Sequence, residues 1–259
     1  MNILILKLVL APVIIGSASL AGRKWGPAVS GWIVGLPLTS GPVAFILALS
    51  HDTTFAFGAI RGTLSGGFSL IAFCLTYAWL ARKFNWIIST LGSILIFAGM
   101  TTFLQNTDIV FIPLFFMVVL VILLGLWLMP KQTELGVRQS TPSQWDIPAR
   151  ILIGTSFILL MTGIAPYIGP RLTGLLTTIP LYAGILTIFA HRHHGHAGAN
   201  SVLRGLILGL FSFAGFYLVL GLLIQNTSLL LSFGTATLSA LIVQGTTLFI
   251  IQKQNQHNS

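Results

Sequence analysis

The sequence is poor in charge. Of its 259 residues, 13 are Lys or Arg and 4 are Asp or Glu, 7% in all, where an ordinary soluble domain carries about 25%. So little polar surface could not cover the core of a soluble fold of this size, which excludes a water-soluble globular protein. Disorder is excluded too, because 55% of the residues are hydrophobic and 11% aromatic, the reverse of a disordered composition. Cysteine is almost missing: Cys74 stands alone in an apolar run, which excludes an intrachain disulfide and a thiolate metal cage. The four acids Asp52, Asp108, Glu134 and Asp146 all fall between apolar runs. The intramembrane carboxylate typical of proton- and sodium-coupled carriers is therefore lacking. No Gly-x4-Gly-Lys-Ser/Thr loop occurs, so the chain has no ATP motor of that type. No His pairs with an acid at a plausible depth and no carboxylate dyad exists, so an enzyme is not expected, nor is a cofactor.

What is present is apolar length. Mean hydropathy is +0.94, and a spanning helix needs about 20 mostly apolar residues. Nine stretches qualify, at 3–22, 26–49, 55–81, 85–104, 109–129, 149–166, 169–190, 199–224 and 228–251. The expected fold is an all-α polytopic membrane protein. The basic residues set its orientation. Arg23, Lys24, Arg82, Lys83, Lys131, Arg138, Arg150, Arg192 and Lys253 fall on one alternating set of connections, and only Arg171 falls on the other. This places the N-terminus outside and the C-terminus inside. Trp25, Trp86 and Trp145 lie near the inner boundaries, where amphipathic rings settle. The net charge of +9 is scattered singly between apolar runs, unlike the clustered patch of a nucleic-acid reader, and suits an anionic membrane face instead.

The strongest signal is self-similarity. Laid over itself so that Gly26 meets Gly169, the chain matches 26–80 to 169–223 without a gap, and 16 of the 55 pairs are identical. Gly26-Pro27 meets Gly169-Pro170, Pro37-Leu38 meets Pro180-Leu181, Gly41 meets Gly184, and His51 meets His194. Arg61-Gly62-x-x-x-Gly66-x-Phe68-Ser69 recurs at Arg204-Gly205-x-x-x-Gly209-x-Phe211-Ser212. The fourth and ninth spans match more loosely, Gly99 to Phe103 against Gly245 to Phe249, at a slightly shifted offset. The chain then divides into a first repeat (1–106), a linker span with a cytoplasmic loop (107–148) and a second repeat (149–259). Four spans plus one invert the second copy. An inverted 4+1+4 duplication is the layout of secondary transporters and channels.

The second and seventh spans point to a site. Each opens with Gly-Pro and meets another proline, Pro37 or Pro180, about 16 Å further in, near the middle of a core of about 30 Å. An interior proline removes a backbone bond, and the carbonyls near Ile33, Val34, Leu176 and Thr177 then need partners. Such breaks are tolerated only against protein or a wet cavity. The expected site gathers Pro37, Thr39, Ser40 and Gly41 from one copy and Thr177, Thr178, Pro180, Tyr182 and Gly184 from the other. Arg61 and Arg204, about six residues inside the third and eighth spans, either snorkel to the interface or face the bundle and hold an anion. Gly62, Gly66, Gly205 and Gly209 give each of these spans a small-x-x-x-small face for close approach to span 2 or 7. His191, Arg192, His193, His194 and His196 crowd the 7–8 connection. Without a Cys or carboxylate beside them they read as a solvated turn, a soft divalent metal being the alternative.

The duplicated Gly-Pro-x-x-Ser/Thr-Gly…Pro-Leu-x-x-Gly helix resembles that of bacterial inner-membrane proteins carrying the pattern twice, and the layout is similar to the small inverted-repeat carriers. The resemblance covers most of both halves and implies a multi-pass protein of the cytoplasmic membrane. The expected function is a secondary transporter or permease of a small, anionic solute working by alternating access. A flippase for an anionic lipid carrier and a non-transporting scaffold are the alternatives. The expected partners are the bilayer and a small-molecule or lipid substrate, with self-association left open.

Overall fold

The computed structural model describes residues 36–130 and 146–257, with positions 9, 12, 13, 16 and 20 besides. The rest of the first span, the Gly26-Pro27 opening, Ile33, Val34, Trp25, Trp145 and the loop 131–145 lie outside the described residues. Among the described residues the regular structure is helical throughout. It comprises α1 (Ser40–Ser50), α2 (Thr53–Leu80), α3 (Trp86–Gln105), α4 (Phe111–Leu128), α5 (Asp146–Leu176), α6 (Leu181–Leu223) and α7 (Leu229–His257). Six of these, all but α1, are long and apolar enough to cross a membrane. This is the architecture of a polytopic membrane protein.

Two helices change direction at a glycine. Straight, the 43 residues of α6 would reach about 64 Å, twice a bilayer core of about 30 Å. Gly195 interrupts it at φ 64, ψ −160, and Gly169 interrupts α5 at φ 79, ψ 165. Both lie in backbone regions that side chains with a β-carbon avoid. Contacts on either side show the reversal. From Pro170 to Thr178 the chain follows α2 from Gly58 to Gly66. It continues until His191 meets Tyr77 near the end of α2, and after Gly195 it returns until Gly221 meets Phe111 at the other end.

The helix ends recur at the repeat offset. α2 and α6 end at Leu80 and Leu223, and α3 and α7 begin at Trp86 and Leu229. The caps correspond as well. Ile88 N donates to Asn85 Oδ1 at 3.1 Å, and Leu231 N to Ser228 Oγ at 3.4 Å. Ser69 and its partner Ser212 both bridge to the following helix, Ser69 with Thr101 and Ser212 with the Ala240 carbonyl. The helix ends and caps thus share the offset that sets Gly26 on Gly169, whereas the serine bridges reach 32 residues on in one copy and 28 in the other.

α2 and α6 form the centre, and one apolar cluster joins them to α3, α4 and α7. A second holds Val43, Ile46 and Leu47 of α1 against Ala59 and against Phe157, Ile158, Met161 and Ala165 of α5. The outer helices turn large apolar side chains outward, Leu95 at 72%, Trp127 at 78% and Leu230 at 79% exposure. Apolar surface on this scale needs a lipid or protein cover. Gly62 and Gly66 take α2 close to the segment after Gly169, as the small-residue face predicts, with span 7 as the partner. A β-carbon at Gly62 would collide with the Arg171 carbonyl, one at Gly66 with Thr178, and one at Gly174 with the α2 backbone at Ala59 and Thr63.

The candidate site at the two helix breaks

The contacts sort the molecule into two ends. One carries Arg61, Asp108, Ile109 and Arg171, and the other Tyr77, Trp86, His191 and Arg192. Between them lie the breaks at 36–39 and 177–180. α1 and α6 both begin there, and neither start is capped by a side chain. The aligned peptide dipoles of such a start favour negative charge, although at α1 the Gly41 and Val43 N–H groups are already bonded to the Pro37 and Thr39 carbonyls.

Hydroxyls gather between these starts. Ser40, the first residue of α1, is buried, as are Thr63, Thr177 and Thr178. Thr63 Oγ1 donates to the Ala59 carbonyl and lies 3.1 Å from Thr177 Oγ1. Thr177 and Thr178 turn back onto the carbonyls of Gly174 and Leu175, and Thr178 Oγ1 also lies 3.2 Å from the Gly66 carbonyl. The Leu176 carbonyl, deprived of its helical donor by Pro180, accepts from Ile179 N at 3.1 Å. The second break is thus closed by local turns and threonine hydroxyls.

Tyr217 completes the cluster. It is 0% exposed. Its hydroxyl faces those of Ser40 and Thr63 yet makes no hydrogen bond of good geometry. A β-carbon on Gly41 would touch the ring of the adjacent Phe216 at 3.7 Å, so the start of α1 abuts this turn of α6. A buried hydroxyl left unpaired costs about 1–3 kcal/mol.

The repeat supplies an internal control. At the offset that sets Gly26 on Gly169, Ser40, Thr63, Thr177 and Tyr217 correspond to Ala183, Leu206, Val34 and Cys74. At the three equivalent positions the structure describes, Ala183, Leu206 and Cys74, a helix is built with apolar residues or a thiol. Two of the hydroxyls stand in each copy, and at each position the equivalent residue of the other copy lacks one, so the hydroxyls are not what the repeat pattern requires.

Of the residues expected from sequence, Ser40, Gly41, Thr177 and Thr178 are buried at the breaks, and Pro37, Thr39, Pro180, Tyr182 and Gly184 line them half-buried. Arg61 and Arg204 are not in the cluster. Arg204 precedes Tyr217 by 13 residues on α6, about 20 Å along the axis. Arg61 turns to the end of the bundle. Its Nη2 donates to Asp108 Oδ1 and to the Ile109 carbonyl, both at 2.6 Å, and Arg171 Nη1 stands 3.8 Å from the same carboxylate oxygen. These residues line a cavity of about 70 Å³ with Gly58 and Ser65.

Thr63, Tyr217, Arg171 and Asp108 escaped the reading of the sequence. Thr63 sits inside the duplicated Arg-Gly motif and Arg171 directly follows Gly169-Pro170, so two had a signal. Tyr217 and Asp108 had none.

At the opposite end the histidines have separate partners. His191 Nδ1 lies 3.2 Å from the Tyr77 hydroxyl, His193 stacks on Phe189, and Arg192 lies over the Trp86 ring. No set of three or more His, Cys, Asp or Glu side chains converges on a metal position among the described residues. Burial, with the charge of His196 second, holds the His191 imidazole below its ordinary pKa.

No family model matches the chain, and no curated protein or solved structure matches it. The functional reading rests on the geometry.

Proposed function

We propose that this chain is a secondary carrier of a small anionic solute in the cytoplasmic membrane. Its nine spans form an inverted 4+1+4 arrangement, with the N-terminus outside and the C-terminus inside. The substrate binds where the two half-helices start, among Ser40, Thr63, Thr177 and Tyr217, and is reached in turn from either face. The observation that carries this reading is the fully buried, unpaired Tyr217 hydroxyl between two uncapped helix starts. The helix starts favour an anion, the Thr63 and Thr177 hydroxyl protons being already on the Ala59 and Gly174 carbonyls, and broken helices at matching positions are the usual setting of a carrier's midplane site. The recurrence of helix ends at the repeat offset supports the duplication.

The test is exchange. Purified protein in liposomes preloaded with an unlabelled carboxylate or phosphate-bearing solute is expected to take up the labelled form. Folded protein that exchanges no member of an anion panel would overturn the reading.

A further inference from the structure

We infer that Arg61 and Arg171 form a separate oxyanion-binding site at the mouth of the bundle, closed in this structure by the carboxylate of Asp108. Two guanidinium groups share one carboxylate, so the cavity keeps an excess positive charge. They also share it through one oxygen. Oδ1 is 2.6 Å from Arg61 and 3.8 Å from Arg171. The longer distance exceeds a hydrogen bond, so Arg171 is attracted to Asp108 but not hydrogen-bonded to it. Each arginine side chain is about 30% exposed and held against packed helix, whereas that of Asp108 is 79% exposed.

The acid is therefore the more exposed member. Asp108 lies between α3 and α4 without helical structure, so its side chain can rotate toward solvent without unpacking a helix, while the Ile109 carbonyl stays on Arg61. Arg171 belongs to a segment whose backbone packs against Gly62. A group with a planar or tetrahedral set of oxygens fits two guanidinium forks better than one carboxylate oxygen does. The ligand is thus a carboxylate or a phosphate group, on a soluble molecule or on a lipid head.

The site rests on the carrier reading only in lying above the interior hydroxyls, and its binding is measured apart from transport. Acetate and inorganic phosphate are titrated calorimetrically into the full chain, in nanodiscs of phosphatidylcholine. In a second arm, thermal stability is compared in nanodiscs with and without phosphatidic acid. Asp108→Asn removes the internal competitor and is expected to tighten binding of at least one soluble probe, or to increase protection by phosphatidic acid, by about fivefold. Arg171→Gln and Arg61→Gln are expected to abolish the same response. A response to soluble probes assigns a solute site, and a response confined to phosphatidic acid assigns a lipid-head site. If Asp108→Asn strengthens neither response, the inference is overturned. Asp108→Ala repeats the measurement should the amide itself bond to Arg61. Exchange with unchanged Asp108→Asn binding would sink the mouth site alone, and binding without exchange would sink the carrier alone.

Discussion

Tyr217 separates a structural from a functional reading most cleanly. If its hydroxyl only fills space, Tyr217→Phe relieves an unpaired polar group and nothing else. The substitution is expected to leave thermal stability unchanged or raise it by about 1 kcal/mol, while lowering the exchange rate at least about tenfold. Exchange at the parent rate would remove Tyr217 from the site. His191 belongs to the opposite end. Its folded pKa is lowered, so the folded chain binds this proton less readily than the unfolded chain. Its contribution to stability is complete above the ordinary value of about 6.5 and is lost as pH falls from there toward the folded value. Melting of the parent and of His191→Gln should diverge below about pH 6.5, the variant losing less; parallel curves would exclude the effect.

Among the elements, the seam between α2 and the segment after Gly169 admits least change. Ala at Gly62 or Gly174 would meet backbone, which cannot rotate away, so each variant should lose about 1–3 kcal/mol or more. Ala at Gly99 or Gly163 meets no described residue within 4 Å and should be neutral in the same melting experiment. The seam also shows how far sequence reaches at this scale. The small-residue face was legible because four-residue spacing fixes one side of a helix. Its partner was narrowed only to span 2 or 7, because periodicity describes a face and not what covers it. The breaks were legible because proline acts locally on its own helix. The partner of Arg61 was not: Asp108 lies 47 residues away, and nothing local marks their approach.

For the whole molecule, hydropathy made the helical membrane class readable, because charge is costly in lipid wherever it falls. The repeat offset is a feature of the sequence itself, carried by its matched glycines and prolines. The hydroxyl cluster was legible only in part. Ser40 and Thr177 lie beside the prolines and were expected, but Thr63 and Tyr217 come from other helices, and their counterparts Leu206 and Cys74 are inconspicuous. Orientation has a direct test, because the single native thiol, Cys74, is fully buried and gives a silent background. Cysteines placed at Asp52, Thr107 and Asn226 should react with an impermeant maleimide from outside intact cells. Cysteines at Asn85 and His193 should react only after permeabilisation. Labelling with the two sets exchanged would invert the proposed topology.

The unlike residues at equivalent positions have one more consequence. If the two copies exchange roles between states, the state built around Ser40, Thr63, Thr177 and Tyr217 holds solute more tightly than the one built around Val34, Cys74, Ala183 and Leu206. Unequal affinities cannot drive net accumulation, because the equilibrium ratio across the membrane depends on gradients alone. They do make the transporter saturate at different concentrations on its two sides, with the slower maximal flux starting from the side that saturates first.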